Sequence, residues 1–256
     1  MATRWPFLDW PTPIALAHRG GAAEHPENTM VGFEAAVRLG YQYLETDVHA
    51  TADGVLVAFH DDDLSPVSDR AGLISALPYA EVRRARVGGE PIPLLADVLG
   101  TWPNIRVNLD AKHDHCVDGL VEAVGSAGAW DRVCLGSFSG RRVRRLRQLA
   151  AGRACTWMGP SEIGRLRLAT WLRRLPGDFA PAAQVPPGWG RYRLVDRTFV
   201  AGAHARGIAV HVWTINDRNE MEALLDLGVD GIFTDRPTLL KEVLTRRGQW
   251  TERLRE

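Results

Sequence analysis

Apolar residues in this chain follow two rhythms. Short strand-like runs recur at IALAHRG (14–20), YLETDV (43–48), VLVAFHD (55–61), IRVNLDAK (105–112), RVCLGSFS (132–139), ACTWMG (154–159), AAQVP (182–186), IAVHVWTIN (208–216) and GIFTDRP (231–237). Most gaps between them hold stretches of helical periodicity that close on glycine: NTMVGFEAAVRLG, HCVDGLVEAVGSAG, GRRVRRLRQLAAG, VDRTFVAGAHARG and DRNEMEALLDLG. In the first, Asn28 is the expected N-cap and Gly40 the stop. Strand and helix alternating over 256 residues predict an α/β fold, a parallel sheet closed as a (β/α)8 TIM-type barrel in a single domain over 1–256. An open doubly wound sheet is the alternative, but no G-x-G-x-x-G follows the first strand.

Nine strand segments are one too many for an eight-stranded barrel, and LETDVHATADGVLVAFHD (44–61) resolves the surplus. Glu45, Asp47 and His49 alternate with Leu44, Thr46 and Val48, so one face of this strand is polar. Asp53-Gly54 reads as a two-residue hairpin loop that makes 55–61 an antiparallel return. In that register Ala52 faces Val55, Val48 faces Phe59 and Asp47 faces His60. Residues 61–104 then form a small insertion between the third and fourth strand segments, expected as a short helix, a Gly-Gly turn and a second helix. Rim insertions of this kind commonly shape a substrate mouth.

Composition narrows the function classes. The 31 basic and 31 acidic residues cancel and neither half is basic, which argues against long-range attraction of nucleic acid. No window approaches the apolar length of a spanning helix, and no charged leader precedes an apolar run, so a cytoplasmic location is expected. Cys116, Cys134 and Cys155, odd in number and without C-x-x-C spacing, read as buried free thiols. Lys112 and Lys241 are the only lysines among the 31 basic residues. Each can mark a place that wants a compact ammonium.

Parallel barrels carry their chemistry at the C-terminal strand ends. There this chain delivers His18 and Arg19, then Glu45 and Asp47, then His60 from the hairpin return, then Asn108, Asp110 and Lys112. Three carboxylates repel one another unless a hard divalent cation joins them, and oxygen-only ligation points to Mg²⁺ or Ca²⁺. Arg19 and Lys112 suit a phosphate beside such an ion. Histidine titrates near neutrality, so His18 and His60 can exchange protons with a nucleophile and a leaving group. Metal-assisted phosphodiester cleavage is the chemistry these residue types support together. His49, His113 and His115 are read as ordinary hairpin and loop residues.

The segments AHRGGAAEHPENT, LETDVHATADGVLVAFHDDDL, VWTIN and GIFTDRP, in order from residue 17 to 237, resemble the signature of the glycerophosphodiester phosphodiesterases. The resemblance implies a TIM-type barrel that hydrolyses glycerophosphodiesters to glycerol 3-phosphate and an alcohol with a divalent cation. Position by position it implies His18 and His60 as the acid/base pair, Glu45 and Asp47 as metal ligands, and Arg19 and Lys112 as phosphate ligands. Glu27 and Asn28 would brace the first loop, and Trp213 would line the substrate pocket. It also implies attack of the glycerol 2-hydroxyl on phosphorus, giving a cyclic phosphate that water opens.

The family's usual Glu-x-Lys on the fourth strand segment is Asp110-Ala111-Lys112 here, with the third metal-binding carboxylate one methylene shorter. Lysophospholipase D-type enzymes of the same barrel can use aspartate at this place, which makes lysophospholipids the alternative substrates. In RLRLATWLRRLP (165–176), Leu168, Trp171, Leu172 and Leu175 share one helical side, with Arg165, Arg167, Arg173 and Arg174 around it. This is either an ordinary barrel helix or a peripheral membrane contact. A catalytically silent barrel that binds a phosphorylated ligand or a protein is a further reading, opposed by the presence of His18, His60, Glu45 and Asp47.

Overall fold

The structure is a computed structural model in which residues 4–11, 13–172 and 179–251 are described, save the side chain of Leu172. Among the described residues there are eight parallel strands: β1 (Ile14–Ala17), β2 (Tyr43–Ala50), β3 (Arg106–Ala111), β4 (Val133–Gly136), β5 (Cys155–Thr156), β6 (Ala182–Val185), β7 (Ala209–Val212) and β8 (Gly231–Thr234). They neighbour one another in the order β5-β4-β3-β2-β1-β8-β7-β6, and a parallel bridge between Trp157 and Ala182 joins the two ends. Outside them lie α1 (Met30–Arg38), α2 (Leu95–Thr101), α3 (Val117–Ser126), α4 (Gly140–Ala150), α5 (Pro160–Leu172), α6 (Arg197–His204), α7 (Arg218–Leu227) and α8 (Pro237–Arg246). The fold is the (β/α)8 barrel that the alternation of runs predicts.

Period-two alternation divides each strand between two cores. Leu44, Val48, Val107, Leu109 and Leu135 pack outward with the helices, while Ile14, Leu16, Tyr43, Cys134, Cys155 and Phe233 fill the barrel interior. Phe7 enters that interior from the N-terminal side and is held by Tyr43, whose Oη donates to the Phe7 carbonyl at 2.7 Å. Full burial of a phenylalanine is worth about 2 to 3 kcal/mol. Trp5, Leu8 and Trp10 pack around it. That end of the barrel is therefore stoppered, and the C-terminal strand ends remain for the site.

The surplus segment is the antiparallel return, Leu56–Ala58 against β2, but one residue out of the expected register: Val48 pairs with Ala58, His49 with Val57 and Ala50 with Leu56. The loop holds three residues, not two. Gly54 N donates to Thr51 O at 2.9 Å, and Thr51 N donates to Val55 O at 3.0 Å. A two-residue loop of the Asp-Gly type needs positive φ at both centres, whereas here only Gly54 has it, at 82°. The Asp53 carboxylate instead accepts from Thr51 Oγ1 and from the Tyr79 amide. Phe59, not His60, lies across from Asp47, and His60 falls beyond the ladder.

A second correction concerns α1, which is capped by Thr29, whose hydroxyl accepts from Gly32 N at 3.2 Å. Asn28 is committed elsewhere, donating to Asp47 and accepting from Thr46. After the return, the chain makes a helical turn at Tyr79–Val82, a small hairpin pairing Arg86–Val87 with Glu90–Pro91, and α2. Phe59, Leu64, Ile74, Val82, Val87 and Ile92 form a separate apolar cluster under this stretch.

In α5 the buried side is Ile163, Leu166, Ala169 and Thr170, while Leu168 and Trp171 face outward, 46 % and 74 % exposed. The expected apolar side therefore does not cover the sheet. Arg173, Arg174, Leu175 and the Leu172 side chain lie outside the described residues. All three cysteines are free and buried. Among the described residues no helix is long and apolar enough to cross a membrane.

His211 on β7 is fully buried, and neither ring nitrogen has a hydrogen-bond partner among the described residues. Burial pushes its pKa down to about 4. An unfolded chain takes up this proton near pH 6.5 and the folded one does not until about 4, so stability falls as pH drops through that window, by up to about 3 kcal/mol. Replacing His211 with Gln should flatten this part of the acid limb when urea midpoints are compared between pH 7 and pH 4.5. An unchanged pH slope would show that the ring is not held neutral.

Candidate active site

A pocket of about 170 Å³ opens at the C-terminal strand ends, and it gathers His18, Arg19, Glu45, Asp47, His60, Asp110, Lys112 and Trp213. The sheet register explains the meeting. Glu45 on β2 is level with Asn108 on β3, and Asp47 with Asp110, so four polar side chains of adjacent strands point into the barrel. Leaving β1, the chain turns sharply at His18–Gly20, with Arg19 at φ 50°. The turn directs the Arg19 amide at Glu45 Oε2, 3.0 Å away.

Charge in the pocket is tightly organised. Lys112 Nζ lies 2.8 Å from both Asp47 Oδ1 and Asp110 Oδ2, a bridge that suits a compact ammonium. The other lysine, Lys241, donates to the Leu39 carbonyl just past α1. Arg19 Nε makes an ion pair with Asp47 at 3.2 Å, and its Nη1 donates to both oxygens of Glu27. Asn28 Nδ2 donates to the second oxygen of Asp47. Glu27 and Asn28 thus flank Arg19 and Asp47 without themselves lining the pocket.

The carboxylates differ in their comfort. Burial and the nearby Asp47 push Glu45 up to about 7. Burial opposes ionisation of Asp47 as well, but Lys112 and Arg19 outweigh it and hold that carboxyl below its usual range. Asp110 is raised, chiefly by burial, and its Oδ1 is buried with no partner among the described residues. Three pocket carboxylates face two fixed cations, Arg19 and Lys112. The raised Glu45 and the orphaned oxygen of Asp110 both fit a site with room for one more positive charge.

His18 Nδ1 donates to Asp235 Oδ1 at 2.6 Å, and its Nε2 lies 3.8 Å from Glu45. Burial would lower the His18 pKa, but Glu45 and Asp235 outweigh it and the pKa stands above 6.5. Asp235 is in turn held by Asn216, which donates to its Oδ2 at 2.7 Å and accepts from its backbone amide. His60 Nδ1 is 2.8 Å from Asp61. Asp235 and Asn216 were not among the expected site residues, although both stand in the segments GIFTDRP and VWTIN that carried the resemblance. An aspartate one residue past the last barrel strand was the available signal.

The remaining wall is aromatic. Phe138, half exposed, sets its ring edge against Trp157 and Trp213, each centroid 5.4 Å away. Gly136 makes the arrangement possible, since a Cβ there would meet the Trp157 indole at 2.0 Å. Gln184, which also lines the pocket, donates to Asn108 at 2.7 Å. His49, His113 and His115 do not line the pocket.

The sequence profile of the Glycerophosphoryl diester phosphodiesterase family matches residues 18–239. The chain belongs to this family. This phosphodiesterase resembles named proteins over most of its length. The Mycobacterium tuberculosis protein named "Probable glycerophosphodiester phosphodiesterase 2" is 40 % identical over 256 residues, 95 % of each chain. A lysophospholipase D of Homo sapiens is 28 % identical over 90 % of this chain and 85 % of its own. The crystal structure of a glycerophosphodiester phosphodiesterase from Agrobacterium tumefaciens shares the phosphodiesterase's fold with a TM-score of 0.77, at 22 % identity over 91 % of this chain and 99 % of that one.

Proposed function

We propose that the chain hydrolyses glycerophosphodiesters to glycerol 3-phosphate and an alcohol, with His18 and His60 as acid and base. The observation that carries this reading is the arrival of two histidines, each paired with an aspartate, at one pocket with the carboxylate cluster. A carboxylate only accepts, so Asp235 fixes the proton of neutral His18 on Nδ1 and leaves Nε2 to exchange protons in the pocket. One histidine takes the proton of the glycerol 2-hydroxyl as it attacks phosphorus, and the other gives a proton to the departing alcohol. A cyclic phosphate results. Water then opens it with the two roles exchanged.

Glu45, Asp47 and Asp110 would hold a divalent cation, Mg²⁺ or Ca²⁺, which supplies positive charge to the phosphoryl oxygens. Lys112 has three N–H donors, two of them directed to Asp47 and Asp110, which leaves the third for phosphate. Arg19 is clamped by Glu27 and Asp47 as the second phosphate ligand. Trp213, with Phe138, gives the substrate an apolar wall. Asp110→Glu should retain or raise activity, whereas Asp110→Ala should raise the cation concentration for half-maximal rate by about 10-fold or more. An unchanged cation requirement in the alanine variant would remove Asp110 from the ligand set.

A lysophospholipase D activity is the second reading, favoured by exposed aromatics on the mouth side of the barrel. Trp189 and Tyr192 stand 62 % and 81 % exposed on a hairpin that follows the C-terminal end of β6, with Arg191 and Arg193 beside them. Such residues suit a lipid interface. Trp171 is less apt for membrane contact, since the C-terminal end of α5 lies at the opposite end of the barrel from the pocket. Glycerophosphocholine and lysophosphatidylcholine assayed side by side separate the two. Glycerol 3-phosphate release is expected from the first. Choline release from the lysolipid alone would transfer the assignment, and silence on both would overturn it.

A further inference from the structure

Three side chains outside the pocket converge on the flank of the hairpin. His49, Asp62 and His113 each offer a ligand atom, and these atoms all lie within 4.8 Å of one another. We propose that His49, Asp62 and His113 form a second cation site, separate from the pocket, that takes a transition-metal ion of the zinc type.

Donor chemistry sets it apart from the pocket. Two imidazoles and one carboxylate suit Zn²⁺ or its neighbours, whereas the pocket's oxygen-only set suits Mg²⁺ or Ca²⁺. The inner partner is already oriented. His49 is 1 % exposed, and its Nε2 meets the His60 carbonyl at 3.1 Å. A carbonyl only accepts, so that nitrogen carries the proton and the lone pair lies on Nδ1. Ligating histidines are generally held this way, through the nitrogen that does not bind the ion. The outer partners are free to adjust: Asp62 is exposed, and His113 Nε2 stands 2.9 Å from its Oδ1. Donors around a tetrahedral zinc ion sit roughly 3.3 Å apart, given bonds of about 2.0 Å. Rotation of these two side chains can supply that contraction. Water from the open side would complete the coordination.

The placement couples this site to the pocket. Asp62 lies two residues past His60, His49 holds the His60 carbonyl, and His113 follows Lys112 directly. An ion here would tie the segment carrying His60 to the end of β3.

Co²⁺ and Zn²⁺ are the probes, added to the full chain with excess Mg²⁺ present. Wild type should bind one Co²⁺ with visible absorption bands that Zn²⁺ abolishes, and Zn²⁺ should raise its Tm. His113→Ala and Asp62→Asn, both at solvent-reached positions, should keep the fold by circular dichroism and bind at least about 100-fold more weakly. Glu45→Gln, in the pocket, should bind Co²⁺ as wild type does, which keeps this test independent of the proposed reaction. Absence of Co²⁺ uptake, or uptake lost in Glu45→Gln but retained in His113→Ala and Asp62→Asn, would overturn the proposal.

Discussion

His18→Ala and His60→Ala should each lower kcat by about 10³-fold or more, the upper part of the range for removal of a general acid or base. Both side chains sit at the pocket rim with part of their surface in solvent, 17 % and 33 % for the side chains. Neither is core packing, so circular dichroism and Tm should change little. KM should move far less than kcat, because the proposed phosphate ligands are Arg19 and Lys112. The two losses should not add: once one proton-transfer partner is gone, the other has no complete reaction to serve, so the double variant should resemble the worse single one. Near-wild-type turnover in either single variant would remove that histidine from the acid/base pair.

Asp235→Asn should lower kcat by about 10² to 10⁴-fold while leaving the histidine in place. The carboxylate accepts the His18 Nδ1 proton at 2.6 Å and stabilises the imidazolium. An amide can present an N–H there, reversing the tautomer, and it carries no charge; a comparable loss follows when a serine protease triad loses its aspartate charge. Asp235 is a positioning residue, and its signature lies in the pH profile. Asp235 helps to raise the His18 pKa, so its loss should move the limb set by His18 to lower pH. A drop in kcat with that limb unmoved would indicate structural damage alone.

How much of this was legible in the sequence depended on whether a feature was local. Barrel strands and the glycine-closed helices carry their signals within a few residues, and the antiparallel return was announced by Asp53-Gly54. The register was not, because the loop type turns on which residues adopt positive φ, and Asp53 was engaged by Thr51 and Tyr79 instead. Asn28 looked like a cap by position, but a long-range demand from Asp47 claimed its amide and Thr29 took the role. In α5 an apolar side is buried, but it is Ile163, Leu166 and Ala169 rather than the side of Leu168 and Trp171, which face outward. Residues at successive strand ends were legible as a group because the barrel itself brings them together. Asp235 escaped, since its importance lies in a contact with a residue 217 positions away. The nearness of His49 and His113 was hidden for a similar reason, the two being 64 positions apart in the chain and 5.5 Å apart between ring centroids.

The most direct test is ³¹P NMR of glycerophosphocholine incubated with the purified chain in Mg²⁺, in Ca²⁺ and in EDTA. Conversion of the diester signal to that of glycerol 3-phosphate in at least one of the two cations, and its arrest by EDTA, is the expected result. Conversion that continues undiminished in EDTA would contradict the cation at Glu45, Asp47 and Asp110. No conversion under any of the three conditions would contradict the proposed substrate.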